Sequence, residues 1–149
     1  MTMAAQIDQA RPEDAQDVLR LLERNHLPLD GLLEHLATTV VARQDGRIIG
    51  SAALEVYAEG ALLRSVAVAP EAQGQGLGHE LTGAAIRMAE AVGAPAIYLL
   101  TTTAERFFPR FGFERIARTD VPATVQASVE FVSACPASAA VMRKPLPAA

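Results

Sequence analysis

The sequence predicts a mixed α/β fold: a mostly antiparallel sheet flanked by helices on both faces, within one domain spanning residues 1–149. Three patterns carry that expectation. Apolar residues recur at helical spacing near the N-terminus and again after residue 76, three short strand patterns joined by turn dipeptides lie between them, and an apolar strand passes through glycines directly into the second helix. A chain of 149 residues suits one such domain, since it can bury roughly 70% of the surface that its unfolded form exposes.

Taken in order, Ile7 belongs to a short first strand, and Pro12-Glu13-Asp14 opens a helix with proline and acids in its first turn. Ala15, Val18, Leu19 and Leu22 share one face of that helix, which ends before Asn25, His26 and Pro28; a second short helix is expected from Leu29 to Leu36. From Thr39 to Val68 the pattern becomes three strands, with Asp45-Gly46 as a two-residue hairpin turn and Glu59-Gly60 as a second turn. That second turn pairs Ala58 with Ala61 and sets Glu55 opposite Arg64 on one face. Leu77, Leu81, Ala84, Ala85 and Met88 give the next helix its apolar stripe, and Gly93 and Pro95 stop it. Ala96 to Leu100 is a buried strand. Thr102-x-x-Glu105 has the form of a capping box for a further helix, which Pro109 shortens. A short helix from Pro122 to Val129 and a strand from Ala139 to Met142 complete the pattern.

Composition removes several function classes. A net charge of −4 with no basic run argues against a nucleic-acid partner. No apolar run approaches the roughly 20 residues of a membrane span, and a signal sequence is not recognisable, so neither a membrane partner nor an exported protein is expected; the expected location is cytoplasmic. Cys135 is the only cysteine, and His26, His35 and His79 lack ligand spacing, so no metal is expected.

The segment Val66 to Gly78 carries the chemistry. Glycines at 74, 76 and 78 let backbone N–H groups approach an anion, and the following helix adds the positive end of its dipole. A dinucleotide fingerprint starting at Gly74 or Gly76 would require glycine at His79 or Leu81. A Walker loop would require a lysine after the last glycine, and the only lysine is Lys144.

The pattern that fits is Gln73-x-x-Gly76-x-Gly78 after a Val-Ala-Val strand, followed by Ala104-Glu105-Arg106-Phe107-Phe108 and Phe111-Gly112-Phe113. In these residues the chain resembles the GNAT superfamily of acetyl-CoA-dependent N-acetyltransferases. The resemblance implies acetyl-CoA as cosubstrate, held by Gln73, Gly74, Gln75, Gly76, Gly78 and His79 at its pyrophosphate, and by the backbone of Val66 and Val68 along its pantetheine arm, with Thr103 and Phe108 beside it. It implies that the strand of Val66 and Val68 diverges from that of Tyr98 and Leu100, and that a small-molecule amine is the acceptor, with Leu27 and His26 facing it or facing solvent. Glu55 is then the candidate base, although Glu55 and Arg64 read equally as a structural pair worth about 0.2–1 kcal/mol. Many superfamily members place a tyrosine acid where Phe108 stands; a thiol leaving group makes such an acid helpful rather than indispensable at neutral pH, and water, Ser65 or Tyr98 are the candidates to replace it. Superfamily members are often dimers, which makes a homodimer the matching expectation.

A closer resemblance covers Leu62 to Val68, Tyr98 to Phe108 and Cys135 to Met142, which look like the arsenic-resistance-associated N-acetyltransferases of bacteria; Leu99 to Thr103 and Arg64-Ser65 also resemble the acetyltransferase domain that acetylates glutamate. By that likeness the acceptor is a small amino acid such as glutamate or aspartate, or an arsenical relative, with Arg64 on its carboxylate. Cys135 is either a small packed thiol or part of the substrate pocket. An acetyl-CoA-binding sensor without turnover is the alternative, and Phe108 is the residue in its favour.

Overall fold

In the computed structural model, which describes residues 5–147, the strands are β1 (Gln6–Gln9), β2 (Thr39–Gln44), β3 (Arg47–Tyr57), β4 (Gly60–Val68), β5 (Ala96–Thr101), β6 (Glu114–Ile116) and β7 (Ala140–Pro145). They form a sheet in the order β1-β2-β3-β4-β5-β7-β6. Every neighbouring pair is antiparallel except β4 and β5. The helices are α1 (Ala15–Arg24), α2 (Leu77–Ala91) and α3 (Ala123–Gln126).

Side-chain alternation puts helices on both faces. On one face α2 lies so close that a Cβ on Gly50 would meet the Leu81 side chain at 2.6 Å. On the other, Leu62 and Tyr98 pack with Val121, Val125 and Val141, which brings α3 against the sheet.

Asp45 and Gly46 take left-handed φ values of 52° and 76° and join Gln44 to Arg47, the primed turn that an Asp-Gly pair favours. The second hairpin differs from the expected register. Its turn residues are Ala58 and Glu59, so Tyr57 pairs with Gly60, Glu55 with Leu62, and Ala53 with Arg64. Gly60 is needed for another reason: a Cβ there would sit 2.8 Å from the Tyr98 ring.

Three expected helices are also redrawn. The segment after α1 is a 3-10 helix, Leu32–Thr38, rather than a helix from residue 29. Gly31, at φ 76°, delays its start, and His35 leaves helical geometry while its carbonyl accepts hydrogen bonds from Thr38 Oγ1 (3.2 Å) and Thr39 Oγ1 (2.9 Å). No capping box forms at Thr102. Thr101 Oγ1 instead accepts from the Ala104 N–H (2.9 Å), and only a 3-10 turn, Phe108–Phe111, follows, with Pro109 in its first positions. Past α3, which is shorter than expected, the chain makes a π-helical turn, Glu130–Ala134.

The start of α1 is fixed by Asp14, which accepts from the Arg11 N–H (2.8 Å) and from both Arg43 terminal nitrogens (3.0 and 2.9 Å). Donation from Arg43 outweighs burial and lowers its carboxyl from 3.8 to about 2. A carboxyl lowered by folding stabilises the fold above its ordinary value, and that contribution is lost as pH falls through the folded value. Asp14→Asn should therefore lower unfolding free energy by up to about 2 kcal/mol at neutral pH in urea melts, the gap to wild type closing as pH approaches 2.

Candidate active site

The site begins where the sheet comes apart. Parallel pairing between β4 and β5 covers Ala61 with Ile97, Leu62 with Tyr98 and Leu63 with Leu99, and then stops. Just beyond, Ser65 takes φ 59°, and the β3 register shifts from Ala53–Arg64 to Ser51–Ala67, which leaves an extra residue on β4. Such a bulge bends its strand. Ser51 Oγ holds it by donating to the Ser65 carbonyl (2.7 Å). Because the Ala69 N–H points back across β3 to Ile49 (2.8 Å), alternation turns the peptide groups of Val68 and Val66 toward the opening.

The opening is a cavity of about 610 Å³. Val66, Val68, Gln73, Thr103 and Phe108 line it, as do Leu27, Arg64, Ser65 and Cys135 at the acceptor side of the expectation. Gln73 bonds through Nε2 to the Val68 carbonyl (3.0 Å), tying the loop to the end of β4. Phe108 is a wall: its ring meets Phe107 and Phe113 edge-on at 5.1 and 5.7 Å.

Gly74, Gln75, Gly76, Gly78 and His79 do not line the cavity; the first three form the turn into α2, and Gly78 and His79 lie in its first turn. Gly74 and Gly76 both have φ 83°, and no atom lies within 4 Å of where a Cβ would stand. Gly76 is the N-cap of α2, a 15-residue helix, whose first-turn N–H groups have no partner within the helix. Gly78 lies against Phe107, and the His79 ring packs on Phe111 at 4.8 Å. The cradle fits a pyrophosphate.

At the inner end, Arg64 is fully buried and nearly saturated. Nε donates to Ser65 Oγ (3.1 Å), Nη1 to the Asp30 carbonyl and to Glu55 Oε2 (2.9 Å), and Nη2 to the Pro28 carbonyl (3.1 Å). One of its N–H groups is left, too few for a two-pronged grip on an acceptor carboxylate. The register shift moved Glu55 by two residues along β4, which preserves the face, so the pair still meets diagonally.

Glu55 stands behind the cavity wall, 1% exposed. Its carboxylate accepts from Tyr57 Oη as well as Arg64, with His35 Nε2 at 3.9 Å. Burial pushes it up, but donation from Ser128, Tyr57 and Arg64 prevails and holds it below the usual carboxylate range. A carboxylate so thoroughly supplied with donors is a poor proton acceptor.

The sequence pattern did not single out Glu130. It opens the π-turn and lines the cavity, and burial pushes its carboxyl above the ordinary range. Burial, reinforced by Glu130, likewise pushes the Cys135 thiol up to about 12. The available signal was a single acid inside the apolar stretch Val129 to Val132. Among the described residues no group of three potential ligands is placed to hold a metal, and no helix is long and apolar enough to cross a membrane.

A parallel strand pair that splays beside a glycine turn into a helix is the architecture of the GNAT acetyltransferases. The chain belongs to the acetyltransferase (GNAT) domain family, whose model matches residues 35–115, over half its length. An amino-acid acetyltransferase of Neisseria meningitidis is 28% identical over 116 residues, covering 76% of this chain and 26% of that protein. One from Mycobacterium tuberculosis is 31% identical over 106 residues, covering 70% of this chain and 60% of that protein. The chain thus spans about a quarter of the first relative's length. N-acetylglutamate synthase from Neisseria gonorrhoeae, solved with coenzyme A and N-acetyl-glutamate, superposes with a TM-score of 0.82 over 97% of this chain and 36% of its own, at 24% identity. That likeness carries the fold.

Proposed function

We propose that the protein is an acetyl-CoA-dependent N-acetyltransferase whose acceptor is the amine of a small amino acid, with glutamate, aspartate and their arsenical relatives as the first compounds to try. The observation that carries this reading is the splayed β4–β5 wedge with an open glycine cradle at its mouth and a buried polar cluster at its inner end. Relatives named amino-acid acetyltransferases, and a structural neighbour solved with coenzyme A, support it.

Bound acetyl-CoA supplies a thioester carbonyl open to attack by an amine. The N–H groups from Gly74 to Gly78 would hold its pyrophosphate, and the peptide groups of Val66 and Val68 would pair with its amides as an added strand. A β4 N–H turned into the wedge would stabilise the oxyanion. Ser65 Oγ accepts from Arg64 Nε, which leaves its O–H to donate; of the groups considered for protonating the departing sulfur it is the hydroxyl that lines the cavity. Arg64 acts as a positioning residue: by holding the Pro28 and Asp30 carbonyls it sets His26 and Leu27 in the wall.

Calorimetry with acetyl-CoA, followed by thiol release on adding each acceptor, tests the reading. Binding and amine-dependent release are expected. Binding without release under any amine would make the protein a sensor, the reading that Phe108 favours, and no binding would remove both.

A further inference from the structure

We infer that Glu130 receives the acceptor's ammonium group and takes its proton. The inference rests on the acetyl-transfer reading and assigns the role first given to Glu55 to a different residue. Glu130 lines the cavity with its side chain 7% exposed, and its Oε2 has no hydrogen-bond partner. The nearest cation, Arg64 Nη2, is 3.9 Å away, beyond hydrogen-bond reach. A buried carboxylate oxygen without a donor is costly, and folded proteins seldom leave one so. An ammonium group brings the missing donors.

The backbone around Glu130 is fixed, so its direction is set before an acceptor arrives. Its N–H is held by Ser128 Oγ (3.1 Å), and its carbonyl accepts from the Cys135 N–H (3.1 Å) across the π-turn. The groups that face its carboxyl are Arg64 from β4, Glu55 from β3, Asp30 from the loop after α1, and the Cys135 thiol, which bonds to it. Arg64 lowers its proton affinity while Glu55 and Asp30 raise it, and burial is the largest influence, upward. Two carboxyls thus share one arginine with opposite outcomes. Glu55 takes the guanidinium bond and stays ionised; Glu130, displaced from it, binds a proton more readily.

One proton passes from the ammonium to Glu130 and later to solvent. The freed nitrogen lone pair forms the C–N bond to the thioester carbonyl carbon, the C–S bond breaks with its electron pair on sulfur, and the second proton lost by nitrogen ends on that sulfur.

Glu130→Gln keeps the shape and removes the proton acceptor. With the acceptor that gives the fastest wild-type thiol release, the variant should lose about 100-fold or more in kcat, with acetyl-CoA affinity by calorimetry unchanged. In wild type, kcat/KM should fall on the acid side through a value above the ordinary 4.5, and that limb should be absent from the variant. Glu130→Asp, which keeps the charge one methylene further back, should recover part of the rate and restore the limb. Wild-type rate and pH profile in a folded Glu130→Gln would overturn the role of Glu130 alone. A wild-type protein that binds acetyl-CoA and releases no thiol with any amine would overturn the transfer reading and this role together.

Discussion

Replacing Arg64 with Met should destabilise the protein by about 3–5 kcal/mol, the largest single-residue effect expected in the chain. The guanidinium is fully buried, and four of its N–H groups bond to protein oxygens. Methionine fills similar space but strands the Glu55 carboxylate, together with the carbonyls of Pro28 and Asp30. Uncompensated buried charge is the dominant penalty, so the double variant Arg64→Met/Glu55→Gln should recover part of the loss. The pH dependence has a definite sign. In wild type Glu55 lies below its ordinary value of 4.5, so its contribution is present above that value and lost on acidification through the lowered one. Without Arg64 the carboxyl moves up, and the gap between variant and wild type should narrow as pH falls. Urea denaturation of the three proteins at neutral and acid pH measures both effects. A single variant within about 1 kcal/mol of wild type would mean that Arg64 does not clamp the loop and the sheet together.

Gly76→Val should weaken acetyl-CoA binding by about 100-fold, with a stability loss of about 1–2 kcal/mol. Both follow from one dihedral. Gly76 sits at φ 83° as the N-cap of α2, where a β-branched residue is strained, and its missing Cβ faces the open side of the cradle. Gly93 supplies the control, because it has φ 77° just beyond the other end of α2 and likewise no neighbour within 4 Å. Gly93→Val should show the same thermal destabilisation with acetyl-CoA affinity intact. Equal affinity in the two variants would place the anion elsewhere.

Local signals in the sequence were legible where one residue type has one steric use. Asp45-Gly46 is a primed turn because few other pairs tolerate two left-handed residues, and Gly74 and Gly76 are glycines for the same reason. Positions set by contacts distant in sequence were not legible. Gly60 resembled a turn residue but makes room for the Tyr98 ring from β5, which shifted the hairpin by two residues. The contact of Glu55 with Arg64 survived that shift because strand faces repeat every two residues. Thr102 and Glu105 had the spacing of a capping box, yet it is Thr101 Oγ1 that accepts a bond there, from the Ala104 N–H, and Pro109 left too little helix to cap. Glu130 had no motif at all. Its character arises from burial beside an arginine whose other N–H groups are already committed, a circumstance created by β3, β4 and the loop after α1 together.

Mechanically, the sheet is two plates, β1 to β4 and β5 with β7 and β6, joined along a seam of three residue pairs. Bending compliance concentrates at such a seam, so the width of the mouth is governed by residues 61–63 and 97–99, of which Leu63 and Leu99 also line the cavity. Gly60 and Tyr98 interlock at the closed end of that seam, as the pin does in a hinge.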